Sequence, residues 1–182
     1  MEVIIAETAR SPLMVCESFL GGGNMMKHVM KRTDLMSKED IWNAVFSILS
    51  EYDFPTDNSA VNDLLIISQY YSELESGGHE SLLNWTSEYI EEVGISSYLN
   101  DLIRCLETIG AHDYSKIEKE YGEEIWRLFK ASEEDEHVTD EFYQVIEAVD
   151  LAYHKLNGKL ENLVETYFMN TYTELIEVNE DE

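Results

Sequence analysis

From residue 37 onward apolar residues recur at helical spacing and are interrupted by glycine or proline, a pattern that restricts the chain to short helices packed on one another. Ser37-Lys38-Glu39-Asp40 has the form of a capping box, with Asp40 at the third helical position. Ile41, Val45, Ile48 and Leu49 follow as an apolar stripe, and Asp53-Phe54-Pro55 ends that helix. A second helix is predicted from Ser59 to Glu75 through Val61, Leu64, Leu65, Tyr71 and Leu74, stopping at Ser76-Gly77-Gly78. The third uses Leu82, Tyr89, Ile90 and Val93, with Gly94 just past its end. Ser96 or Ser97 caps a fourth, whose stripe runs from Leu99 to Ile109 and stops at Gly110. Asp113 caps a fifth through Ile117, Tyr121, Ile125, Leu128 and Phe129. Thr139 caps a sixth ending at Gly158, and a seventh carries Leu160, Leu163, Val164, Tyr167, Phe168 and Leu175 before fraying.

No strand alternation follows residue 36, and loops of a few residues predict mostly antiparallel neighbours. The expected fold class is all-α, a single domain of about seven mostly antiparallel helices. Hydrophobic residues make up 44% of the 182, enough for a core in a domain of this length. Residues 1–36 read as an N-terminal extension, because Gly21-Gly22-Gly23-Asn24 is a break and Met25 or Met26 can serve as a start. Residues 37–178 then form the acidic helical domain and 179–182 an acidic tail. Deletion of residues 1–24 is expected to leave the fold intact.

Charge excludes more than the helices do. Asp and Glu number 38 against 12 Lys and Arg, a formal net charge of −26. Such a surface repels nucleic acid, anionic lipid and free phosphates, and attracts basic partners. Solubility requires a net charge of only about 2–8 in a small domain, so the excess points to a function. Thirteen acids and no Lys or Arg lie between Glu39 and Ile103, and eight more without a base between Ala131 and His154. A folded protein of this size exposes roughly 9,000 Å², or about 350 Å² per net charge. Duplex DNA, with one charge per ~1.7 Å of axis, exposes about 100 Å² per charge. The average surface is therefore about threefold too dilute to resemble DNA, and its acids must cluster to do so. The base-free stretch around Glu88, Glu91 and Glu92 and the run Glu133-Glu134-Asp135-Glu136 are the candidates, with Glu123 and Glu124 between them in sequence.

Cys16 and Cys105 exclude a disulfide scaffold or zinc ribbon and fit a reducing compartment. Glu2 and Glu7 stand where a signal peptide needs positive charge, and no apolar run reaches the roughly 18 residues of a membrane span. A cytoplasmic protein is the expectation. Glu134-x-x-His137 has the spacing of half a di-iron site, but that site needs a second such motif, which is missing. No EF-hand loop, nucleophile elbow or Walker phosphate loop is present. His79 reads as a residue of a helix start rather than a catalytic base, and Trp42, Trp85 and Trp126 as core. Neither enzyme chemistry nor a cofactor is expected.

Two segments carry a resemblance. Tyr70-Tyr71-Ser72-Glu73-Leu74-Glu75-Ser76-Gly77-Gly78-His79-Glu80-Ser81-Leu82-Leu83 is similar to the helix junction of the DNA-mimic-protein domain family, and Leu106-Glu107-Thr108-Ile109-Gly110-Ala111 resembles a helix ending of that family. Asp140-Glu141-Phe142-Tyr143 and the helix after it are similar to its C-terminal part, so the resemblance covers roughly residues 60–175. Ser76 stands where the family usually has Asn, His79 where it has an aromatic and Ser81 where it has Gln, with Leu82-Leu83 replacing an aromatic pair. The resemblance implies an acidic helical protein, with a homodimer left open, that occupies the nucleic-acid-binding surface of a basic partner such as a transcription regulator. The charge alone equally fits an immunity protein that neutralises a nuclease-type toxin.

Overall fold

A computed structural model describes residues 27–180; the glycine break and the segment 1–24 lie outside the described residues. Six α-helices carry most of the described chain: α1 (Lys38–Leu49), α2 (Ser59–Val93), α3 (Ile95–Thr108), α4 (His112–Glu134), α5 (Thr139–His154) and α6 (Lys159–Thr171). The all-α reading holds. Ser37 caps α1 as its sequence predicts, its hydroxyl accepting from Asp40 N at 3.1 Å while the Asp40 carboxylate accepts from Ser37 N at 2.9 Å. The stripe Val45, Ile48 and Leu49 is buried. Trp42 lies 4.8 Å from Phe46, 5.5 Å from Tyr71 and 5.4 Å from Phe168 between ring centres, which seats α1 against α2 and α6.

Helix α2 starts at Ser59 as the sequence predicts, capped by Asn58, which accepts from Ala60 N and Val61 N. Three later helix starts differ from the sequence reading in their caps. No side chain caps α3, α4 or α5, and Ser96, Asp113 and Thr139 lie inside the first turns. The chain passes from α2 to α3 through Gly94 alone and from α3 to α4 within three residues, which leaves little extended backbone for a cap.

The predicted second and third helices form the single element α2, broken at Gly78 (φ 71°, ψ −163°). A glycine is required there twice over. Positive φ disfavours a side chain, and Asp150 Oδ2 of α5 lies 2.5 Å from where a Cβ would sit. Asp150 instead accepts the backbone N–H of His79 at 3.0 Å, so α5 supplies the cap for the second half of α2. That second half runs in the same direction as α4. His79 meets Glu118, and Glu91, 12 residues past His79, meets Lys130, 12 past Glu118.

Leu64 and Tyr70 of α2, Leu102 and Leu106 of α3, Leu128 of α4, Val149 of α5 and Leu160 and Phe168 of α6 are fully buried, so every helix after α1 feeds one core. Trp42 and Trp126 pack against it, but Trp85 is 70% exposed, contrary to the expectation of a core tryptophan. It comes two residues after the buried Leu83, about 200° round the helix from it, and falls on the solvent side of α2.

The expected absence of strands after residue 36 is corrected by β2 (Ile176–Asn179), which pairs in parallel with β1 (His28–Lys31). The last helix stops at Thr171 and a 3₁₀ turn over Tyr172–Glu174 leads into β2, whose first residue Ile176 is buried with Leu175. Residues 28–35 are thus tied to the far end of the described chain, with Arg32 gripping Glu180 at 2.8 Å.

Candidate functional site

All nine sequence-predicted carboxylates, Glu88, Glu91, Glu92, Glu123, Glu124, Glu133, Glu134, Asp135 and Glu136, are solvent-exposed. Burial of the opposite side of α2 causes this for the first three. Leu82, Leu83 and Ile90 face the core, which turns Asn84, Trp85, Glu88, Glu91 and Glu92 outward at spacings of one, three and four residues. On α4, Gly122, Ile125, Leu128 and Phe129 are buried and Glu123 and Glu124 turn outward.

Two of the nine meet directly through a cation. Lys130 of α4 reaches Glu91 Oε1 of α2 at 2.7 Å and also bonds Glu133, with its ammonium 5.8 Å from the centre of the Trp126 ring. The ends of α2 and α4 are thereby held together, and one positive charge is shared by two carboxylates. Glu123 accepts from Ser96 Oγ of α3 at 3.2 Å, so α3 lies beside this part of α4. Asp135 turns inward on its own backbone, accepting from His137 N at 2.9 Å and starting the 3₁₀ turn Glu136–Val138. Among the described residues, Glu88, Glu92, Glu124, Glu134, Asp135 and Glu136 have no Lys or Arg within ion-pair distance. Other cations bind acids elsewhere: Lys38 with Glu165, Arg104 with Asp63, Lys116 with Asp113 and Lys119 with Glu107.

A polar network that the sequence does not disclose lies inside the fold. His79 is fully buried, with Nδ1 2.5 Å from Asp150 Oδ1 and Nε2 3.1 Å from Glu118 Oε1. Glu118 is 2% exposed and also accepts from Tyr70 Oη at 2.8 Å. Burial pulls the imidazole pKa down, but the Glu118 charge and the hydrogen bonds to Asp150 and Glu118 outweigh it and raise it from 6.5 to about 9. Burial likewise pushes the Asp150 carboxyl up, and the side-chain and backbone bonds from His79 bring it below its usual range. The Tyr70 hydroxyl is pushed well above 10 by burial and by Glu118. An imidazolium between two carboxylates satisfies every hydrogen-bonding atom of the ring, so the group ties α2, α4 and α5 together. The only sequence sign is a histidine directly after the glycine pair, which reads equally well as an exposed helix start.

Among the described residues no three His, Cys, Asp or Glu side chains are grouped to hold a metal ion, and Glu134 and His137 both face solvent. No helix among them is long and apolar enough to cross a membrane.

A family model described as DMP19-like protein matches residues 58–171, from the cap of α2 to the end of α6. Comparisons with curated proteins and with solved structures return no match.

Proposed function

The chain belongs to the DMP19-like protein family, and from that membership and the placement of its acids we propose that it is a non-catalytic DNA mimic, an acidic interaction module that occupies the nucleic-acid-binding surface of a basic partner such as a transcription regulator. The observation that carries this reading is the outward face of the second half of α2. Glu88, Glu91 and Glu92 stand within five helical residues, and only Glu91 has a cation beside it. At 1.5 Å of rise per residue, three carboxylates over five residues give one carboxylate per about 2.5 Å. Duplex DNA has one phosphate per ~1.7 Å. The local spacing of carboxylates approaches that of phosphates in DNA even though the net charge averaged over the surface does not.

The carboxylates of Glu133–Glu136 extend this charge from the end of α4, which Lys130 holds beside α2. A partner that neutralises phosphates with Lys and Arg would meet acids in their place, and complementary charge would speed the encounter and make it sensitive to salt. The deciding experiment is competition. A basic DNA-binding protein captured from the native lysate at low salt should release labelled duplex DNA as this protein is added. If a ternary complex of the partner, its DNA and this protein forms instead, mimicry is wrong.

A further inference from the structure

Between the end of α1, the following loop and α2 lies a cleft of about 530 Å³, within the range of small-ligand sites. Its walls combine aromatic rings with carboxylates and, among the described residues, contain no Lys or Arg. Trp85 stands at the cleft with most of its surface in water, and Tyr89, one turn along α2, packs edge-on against Phe54 at 4.6 Å and against Tyr98 at 6.4 Å. Glu88 lies between Trp85 and Tyr89 in sequence and is exposed. Deeper, Glu73 is a buried residue whose carboxylate, among the described residues, bonds neutral donors, Gln69 Nε2 at 3.1 Å and Ser81 Oγ. Two donors leave part of a carboxylate's accepting capacity unused.

We infer that this cleft receives one arginine side chain of the basic partner, its guanidinium stacked on Trp85 and bonded to Glu88. The inference rests on the proposed function for the source of the arginine, and it concerns a contact that duplex DNA does not offer. An apolar side chain would leave Glu73 and Glu88 facing it, and an anion would be repelled by both. A cation is attracted by the carboxylates and by the ring faces together. Arginine fits better than lysine, because its planar, weakly hydrated guanidinium stacks on a ring and bonds a carboxylate through two N–H groups at once. The exposed indole, unexplained as part of the core, becomes one wall of the binding site. A partner anchored there would be distinguished from other basic proteins by an arginine in one position rather than by net charge.

The test uses the full chain and three blocked tripeptides, glycine-arginine-glycine, glycine-lysine-glycine and glycine-citrulline-glycine, the last being nearly isosteric with arginine but neutral. Titrations are followed by the indole N–H resonance of Trp85 and by backbone amides of the cleft. Arginine peptide should shift these resonances along a saturable curve, lysine peptide less tightly and citrulline peptide by about tenfold or more less tightly. Trp85→Ala and Glu88→Gln, both at exposed positions, should each weaken the arginine peptide by about tenfold and keep the thermal midpoint. Equal response to citrulline would sink the inference, as would unsaturable shifts scattered over the acidic surface or a Trp85→Ala variant that binds as wild type. Each of those outcomes leaves competition with DNA untouched. Conversely, a cleft that binds arginine in a protein that fails to displace DNA would keep the site and remove the mimicry.

Discussion

Asp150 Oδ1 lies 2.5 Å from Nδ1 of His79 and 3.0 Å from its backbone nitrogen, so one carboxylate on α5 both caps the second half of α2 and holds a buried imidazole. With Glu118 on the other side, the ring is stabilised in its charged form, its pKa raised from 6.5 to about 9. Because the folded value exceeds the unfolded one, this contribution is complete below about pH 6.5 and is lost as pH rises through about 9. It is worth on the order of 3 kcal/mol between those limits. The thermal midpoint should therefore fall by roughly 5–10 °C between pH 6.5 and 9.5. The ring protons of His79, followed by nuclear magnetic resonance, should titrate near 9. A midpoint near 6.5 would contradict the buried ion group.

The same carboxylate explains why residue 78 is glycine. Gly78→Ala places a methyl group at positive φ and within 2.5 Å of Asp150 Oδ2, so Asp150 must leave its position. Urea unfolding should show a loss of about 1–3 kcal/mol. In the Gly78→Ala background a further Asp150→Ala change should cost much less than it does alone, since the contact is already broken. Additive losses would separate the two residues.

Charge reversal separates the acidic face from the fold. Glu92→Lys lies on the outward side of α2 and touches no cation among the described residues, so the thermal midpoint should change little while binding to a captured basic partner weakens at least tenfold. Glu165→Lys, on α6 and away from that face, removes a bridge to Lys38 of small worth and should leave binding nearly unchanged. Affinity of the unmodified protein should fall steeply between about 50 and 200 mM salt. Equal effects of the two reversals would mean that the charge acts only as a general field.

Cys105 should be inert in the folded protein. Its thiol is buried, and burial together with the neighbouring Asp63 charge pushes its pKa up to about 12. Little thiolate exists at pH 8, and alkylation by iodoacetamide, followed by peptide mass mapping, should leave Cys105 unmodified until denaturant is added. Rapid modification in native buffer would place α3 differently.

Local chemistry decides the helices. The spacing of Ile41, Val45, Ile48 and Leu49 fixes which side of α1 is buried, Ser37 and Asp40 start it through atoms three residues apart, and Gly78 and Gly94 mark the breaks at either end of the second half of α2. The outward direction of Glu88, Glu91 and Glu92 follows from the same periodicity, because a helical stripe that faces the core necessarily turns the other side to water. What the tertiary structure decided are the pairings of residues far apart in the chain. His79 acquires its charge from carboxylates 39 and 71 positions away, on two different helices. Trp85 counts as core by residue type and is left in solvent by the rotation of α2 against its neighbours, beside Phe54 on a loop about thirty residues earlier. The strands β1 and β2, four residues each, carry too short a pattern to be seen alone and exist because six helices bring Ile176 back beside His28. A sequence period reports the direction of a side chain from its own helix axis, whereas its partner depends on how the helices pack, and that is settled only when the whole core closes.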